Sequence, residues 1–102
     1  MYNNYASPVV QNCTFRHNRA SASGAGIYNY NPSSPVFINC KVVYNVAVGA
    51  PGAGINNSAG TNVVLTNCVI SANSLNGPPG GGIWNNGSTT TLNNSINWGL
   101  EL

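Results

Sequence analysis

An all-β solenoid of about four stacked coils is the fold class this sequence predicts, and three observations predict it. The first is a glycine phrase: Gly24-Ala25-Gly26-Ile27, Gly52-Ala53-Gly54-Ile55 and Gly80-Gly81-Gly82-Ile83 stand 28 residues apart. The second is an Asn-Cys phrase at Cys13, Cys40 and Cys68, continued by Asn94-Ser95, with intervals of 27, 28 and 27 residues. The third is the material between them. Short runs of branched and aromatic residues (VV, VFI, VVLT, GIY, GIW) are broken by Gly, Asn, Pro and Ser, which is strand-and-turn chemistry rather than helix. A repeat of 27 to 28 residues cannot bury its own hydrophobic face, whereas stacked copies can.

Within each repeat the apolar positions keep fixed offsets. Val10, Phe37, Leu65 and Leu92 stand three before the cysteine or serine, and Phe15, Val42 and Ile70 stand two after it, until Asn97 breaks the series. Asn18, Asn45 and Asn73 stand five after it, with Leu100 in the last copy. Counting back from Cys13 aligns Met1-Tyr2-Asn3-Asn4 with Ile83-Trp84-Asn85-Asn86, so the sequence opens inside a first strand. The 102 residues form one domain, 1–102, with coils at approximately 1–23, 24–51, 52–79 and 80–102.

The phrases GAGIYN, SPVFINC and GGGIWNN, with an Asn-Cys pair and a later Asn recurring after them, resemble the right-handed parallel β-helix repeat of the pectin-lyase-like superfamily. They are similar in particular to the Asn- and Gly-rich repeats of bacterial cell-surface and polymorphic outer-membrane proteins. The resemblance implies a right-handed parallel β-helix with three short strands per coil, of the type G-I-Y-N, P-V-F-I and C-K-V-V, rising about 4.8 Å per coil. It implies that Asn12, Asn39, Asn67 and Asn94 stack at the corner between second and third strands. Asparagine tolerates left-handed backbone there, and its amides would join coil to coil as a ladder. Cys13, Cys40 and Cys68, just past that corner, would point inward as a buried stack of small hydrophobes. Surface adhesion or carbohydrate contact is the function the resemblance implies, with an extracellular or cell-surface location. The opening MYNNYASP shows neither the basic start nor the apolar core of a signal peptide, which leaves the compartment open.

Composition narrows the chemistry. Charged residues make up only 4% of the chain, against about a quarter in an ordinary soluble domain, so Asn, Ser and Thr must wet the surface. A net charge of +2 gives no basic stripe to track phosphates, and no nucleic acid is expected as a partner. No apolar run approaches membrane-spanning length. Polysaccharide-cleaving enzymes of such a fold need carboxylates as acid/base pairs or calcium ligands. This sequence has no aspartate, and its single acidic residue is Glu101. A covalent triad lacks its acidic member, and His17 has no evident orienting group. No enzyme activity, cofactor or metal is expected. Three cysteines cannot pair completely, and parallel side chains on adjacent coils are poor disulfide geometry.

Candidate sites remain on the outside. Tyr2, Tyr28 and Trp84 follow the inward Met or Ile of the first strand and face outward on one sheet, as a platform for polysaccharide sugar rings, with Asn56 interrupting them. The plainer alternative ranks ahead: stacked surface aromatics simply stabilise a parallel sheet. Arg16, His17, Arg19 and Lys41 form either a small anion-attracting patch or, more plainly, solvated charges that discourage edge pairing. Thr89-Thr90-Thr91 is unrepeated and does not make an ice-like array, and the sequons at Asn12, Asn56, Asn86 and Asn93 are expected by accident in so Asn-rich a chain. Bare end coils would expose unpaired strands, so a homo-oligomer through them is the expected partner arrangement, with a self-assembling scaffold or a fragment of a larger β-helix as the alternative.

Overall fold

The computed structural model describes residues 1–49, 51–76 and 81–98. Gly80, Leu100 and Glu101, which figure in the expectations above, lie outside the described residues, as do the coil boundary at 79/80 and the end of the last coil.

The first coil carries β1 (Tyr2–Asn4), β2 (Val9–Gln11), β3 (Thr14–Arg16) and β4 (Arg19–Ala20). The second carries β5 (Ile27–Tyr30), β6 (Val36–Ile38), β7 (Lys41–Val43) and β8 (Val46–Ala47). The third repeats them as β9 (Ile55–Ser58), β10 (Asn62–Thr66), β11 (Val69–Ser71) and β12 (Ser74–Leu75), and the fourth as β13 (Ile83–Asn86), β14 (Thr89–Asn93) and β15 (Ile96–Trp98). Every strand pairs in parallel with its counterparts one coil away, giving three sheets of four strands. A fourth, minor sheet joins β4, β8 and β12, two residues each. Small residues allow it: Ala25, Ala47 and Ala53 pack with Leu75 in a tight satellite core there. No helix occurs among the described residues, hence none long and apolar enough to cross a membrane.

Corners are made by single left-handed residues, one column per corner. Asn12, Asn39, Asn67 and Asn94 hold φ of 55, 54, 53 and 46° after the second strand. His17, Tyr44 and Ala72 hold 55, 55 and 53° after the third, and Tyr5, Asn31 and Ala59 hold 54, 66 and 59° after the first. Between corners the pleat alternates, so Ile27, Phe37, Val42 and their counterparts Ile55, Leu65 and Ile70 enter one continuous core.

Two expectations need correction. The coil-to-coil amide ladder does not run through Asn12, Asn39, Asn67 and Asn94. All four are exposed, and the amide bond between neighbours of that column is from Asn94 Nδ2 to Asn67 Oδ1, 2.7 Å. A corner side chain projects outward, where water satisfies it. The ladders instead occupy inward positions. Asn3, Asn29, Asn57 and Asn85 relay Nδ2 to Oδ1 at 3.0, 2.8 and 3.0 Å, and Asn18, Asn45 and Asn73 do so at 2.9 and 2.9 Å. Asn29, Asn45, Asn57 and Asn73 are 0% exposed, and amides so buried require partners.

The cysteine stack is also shorter than expected. Cys40 and Cys68 are buried, but Cys13 is exposed, because in the first coil no described strand covers its outer side. The thiols act as donors as well as fillers. Cys40 Sγ donates to Ile38 O at 3.3 Å, and Cys68 Sγ to Thr66 O at 3.3 Å, with Phe37 O also within reach at 3.4 Å. Ser95 Oγ donates its one hydrogen to Asn93 O at 2.8 Å, with Leu65 O also within reach at 3.2 Å. Serine thus substitutes for cysteine because the position calls for a small donor aimed at a carbonyl two residues back.

Candidate functional site

The outer face of the sheet β1-β5-β9-β13 carries two outward columns. Register places Tyr2, Tyr28, Asn56 and Trp84 in one, and Asn4, Tyr30, Ser58 and Asn86 in the other. Their positions follow from the pleat: Ile27 and Asn29 are buried, so Tyr28 and Tyr30 turn to the surface. Glycine makes room at the entry to each strand. A Cβ on Gly24 would lie 2.7 Å from Tyr28 Cβ, and one on Gly52 would lie 3.0 Å from Trp84 Cβ, while both glycines hold positive φ of 61 and 73°. The recurrent glycine phrase therefore seats the surface aromatics.

Tyr2 and Tyr28 lie with ring centroids 5.3 Å apart, and Tyr28 and Tyr30 with centroids 5.7 Å apart. Asn56, expected only to interrupt the column, is 2% exposed. Its Nδ2 donates to Pro51 O at 3.0 Å, and its Oδ1 accepts from Ser58 Oγ at 2.8 Å. Folded back in this way, the amide floors a groove of about 550 Å³ whose lining includes Tyr28, Tyr30, Ser58, Trp84 and Asn86. Tyr28 and Trp84 stand two coil rises apart, roughly 10 Å. Burial, then the neighbouring Tyr30 and Tyr2 hydroxyls, push the Tyr28 phenol above its ordinary value. It remains a protonated donor at neutral pH. None of the named lining groups carries charge, so the groove suits a neutral ligand with apolar faces and hydroxyl edges.

The structure thus brings Tyr28 and Trp84 to one groove and leaves Tyr2 beyond its Tyr28 end. Tyr30, Ser58 and Asn86 are the members that sequence reasoning missed. Alternation of the pleat from Tyr28 to Tyr30 was the signal that would have found them. The other candidates separate. Thr90 Oγ1 donates to Asn85 Oδ1 at 2.8 Å and accepts from Asn57 Nδ2 at 3.0 Å, while Thr89 Oγ1 donates to Asn62 Oδ1 at 2.6 Å, so those two hydroxyls are engaged. Of the sequon asparagines Asn56 is buried, whereas Asn12, Asn86 and Asn93 are exposed. Arg16, His17, Arg19 and Lys41 are exposed on the first two coils, with His17 stacked on Tyr44. Among the described residues no group of three His, Cys, Asp or Glu side chains is placed to hold a metal ion. Burial and a nearby Cys40 raise the Cys68 thiol above its ordinary value although backbone hydrogen bonds oppose the shift, which keeps it protonated and unreactive.

No curated protein and no solved structure matches the chain. A family model does: the right-handed β-helix region matches residues 1–96. That span takes in the three copies of the glycine phrase and the four of the Asn-Cys or Asn-Ser phrase, and it is consistent with the pectin-lyase-like superfamily. With its parallel sheets, single-residue corners and buried asparagine relays, the chain belongs to the right-handed β-helix family.

Proposed function

We propose that the chain is a non-enzymatic β-helix module of the surface or adhesion type, which contacts neutral carbohydrate through the groove between Tyr28 and Trp84. The observation that carries this is the replacement of one aromatic ring by the folded-back amide of Asn56, which leaves a floor with ring walls on two sides. Sugar rings offer apolar faces to such walls and hydroxyls to Ser58, Asn86 and the tyrosine phenols. The absence of aspartate, with Glu101 as the sole acid, supports a binding role over glycan cleavage.

The test is titration with neutral oligosaccharides of β-glucan, mannan and galactan, followed by calorimetry. One of them binds the native chain, and Tyr28→Ala and Trp84→Ala each weaken it at least about tenfold, with the chain's solution mass unchanged. Asn56→Tyr, which restores a ring to the gap and fills the groove, abolishes binding. Equal binding by all these variants, or no binding by any of the three glycans, sinks the proposal.

A second reading, self-association into a homo-oligomer, has its own support. The exposed aliphatic side chains Val9, Leu92 and Ile96 fall on the first and fourth coils, and charged residues are only 4% of the chain as a whole. Sedimentation across a wide concentration range tests it: mass that rises with concentration supports it, and a monomer at the highest concentration refutes it.

A further inference from the structure

Arg16, Arg19 and Lys41 are all the lysine and arginine the chain contains, and all three are exposed; Arg16 and Arg19 flank the corner after the third strand of the first coil, and Lys41 opens the third strand of the second. His17 makes that corner in the first coil and Tyr44 in the second, each with φ of 55°. Their rings lie face to face, 5.5 Å between centroids and 7° between planes. In the third coil the same corner is Ala72, with φ of 53°, so the stack stops there and, among the described residues, His17 is the aromatic ring stacked on Tyr44. At Ala72 the side chain is only a methyl group, one coil rise from Tyr44. Beside it stands Ser71, and Trp98, in register with Ser71, is 70% exposed one coil further on. On the opposite side of Tyr44, Arg16 is in register with Val43 and Arg19 with Val46.

We propose that this corner is a second binding site, for a planar aromatic ring carrying phosphate: a nucleotide, either free or as an unstacked residue of a single strand. The nearly parallel His17–Tyr44 pair sets the geometry for a flat ring on Tyr44, continuing the column into the place that Ala72 leaves open. Every nucleobase has such a face. The two arginines lie about two coil rises from that place, roughly 10 Å, a span covered by an extended arginine together with a phosphate tethered to its sugar. Guanidinium groups match phosphate oxygens, and no carboxylate among the described residues competes for them. A net charge of +2 provides no long phosphate track, but a site for a single nucleotide needs only a pair of cations such as Arg16 and Arg19. The site is chemically unlike the groove on the first sheet, which has no charged group among its named lining residues.

Heteronuclear NMR titration with adenosine 5′-monophosphate, adenosine and inorganic phosphate tests the proposal. The nucleotide shifts the Tyr44 and Ala72 amides and binds at least about tenfold more tightly than either of its parts. Tyr44→Ala folds, since Ala72 already occupies the equivalent corner, and weakens binding about 5- to 100-fold, the range for losing one base stack. Ala72→Tyr extends the aromatic column into the opening and abolishes binding. Arg16→Ala combined with Arg19→Ala reduces the nucleotide to the level of adenosine. A short oligo(dA) that binds more than tenfold better than the mononucleotide identifies a single strand as the source, and equal binding identifies the free nucleotide. Equal binding of nucleotide and phosphate means ion attraction only and overturns the proposal. So does unaltered binding in Ala72→Tyr, or no shift at millimolar nucleotide.

Discussion

Asn45→Ala removes the centre of the shorter buried relay. The carboxamide Oδ1 accepts from Asn18 N at 3.1 Å and Asn18 Nδ2 at 2.9 Å, and its Nδ2 donates to Phe15 O at 3.0 Å and Asn73 Oδ1 at 2.9 Å. At about 1 kcal/mol net for each bond, and with Asn18 partly rescued by water, the loss is about 3 to 4 kcal/mol. A domain of this size has about 5 to 15 kcal/mol in total, so the variant stands near the edge of folding. The matching control is Asn39→Ala. Asn39 is exposed, holds φ of 54° and makes no side-chain hydrogen bond among the described residues, so its removal costs only the left-handed preference, about 1 kcal/mol. Urea denaturation followed by circular dichroism gives both values. The melting temperature of Asn45→Ala falls by roughly 15 to 30 °C and that of Asn39→Ala by less than about 10 °C. If the two variants lose equal stability, inward relays are not what holds the coils together and the reasoning fails.

Three further outcomes are expected. Ser33 Oγ is buried without a hydrogen-bond partner among the described residues, so Ser33→Ala raises stability by about 1 kcal/mol in the same denaturation experiment, and a loss of that size would count against the assignment. Cys13 reacts with a thiol reagent in the folded protein, whereas Cys40 and Cys68 react only as fast as the protein opens; three thiols reacting at one rate contradict the buried stack. Folding raises the Tyr28 pKa, so the unfolded chain loses this proton first. The contribution is therefore intact below the ordinary tyrosine value of 10.0 and is lost as pH rises beyond it toward the higher folded value. The alkaline fall in stability is shallower in Tyr28→Phe, and identical pH profiles for the two proteins would remove Tyr28 from the account.

The period, the sheets and the inward apolar columns were legible in the sequence because one stacking rule forces every coil to repeat them. The ladders were misplaced for an equally physical reason. Asn12, Asn39, Asn67 and Asn94 satisfy the backbone preference for left-handed corners, and that preference says nothing about where the amide points. Direction comes from the pleat: Ile27 enters the core, so Asn29 two residues on enters it too. The same alternation contains Tyr30 but not the groove. The depth of the groove depends on Asn56 reaching the Pro51 carbonyl, a contact between a strand and its own approach that no periodicity encodes. The His17–Tyr44 stack lay in view at a constant four residues past Cys13 and Cys40, yet its meaning required knowing that this offset is a corner.

Both buried relays point the same way. Asn3 donates to Asn29, Asn29 to Asn57 and Asn57 to Asn85, while Asn18 donates to Asn45 and Asn45 to Asn73. Each coil therefore receives a hydrogen bond on one side and passes one on at the other, like links with a hook and an eye. A duplicated coil inserted anywhere in the series fits at once, provided it keeps one asparagine in each column and the same chain direction. A coil facing the other way would set donor against donor. Gene duplication can lengthen or shorten such a protein without redesigning its interior, and the polarity of two amide columns checks each added copy for orientation.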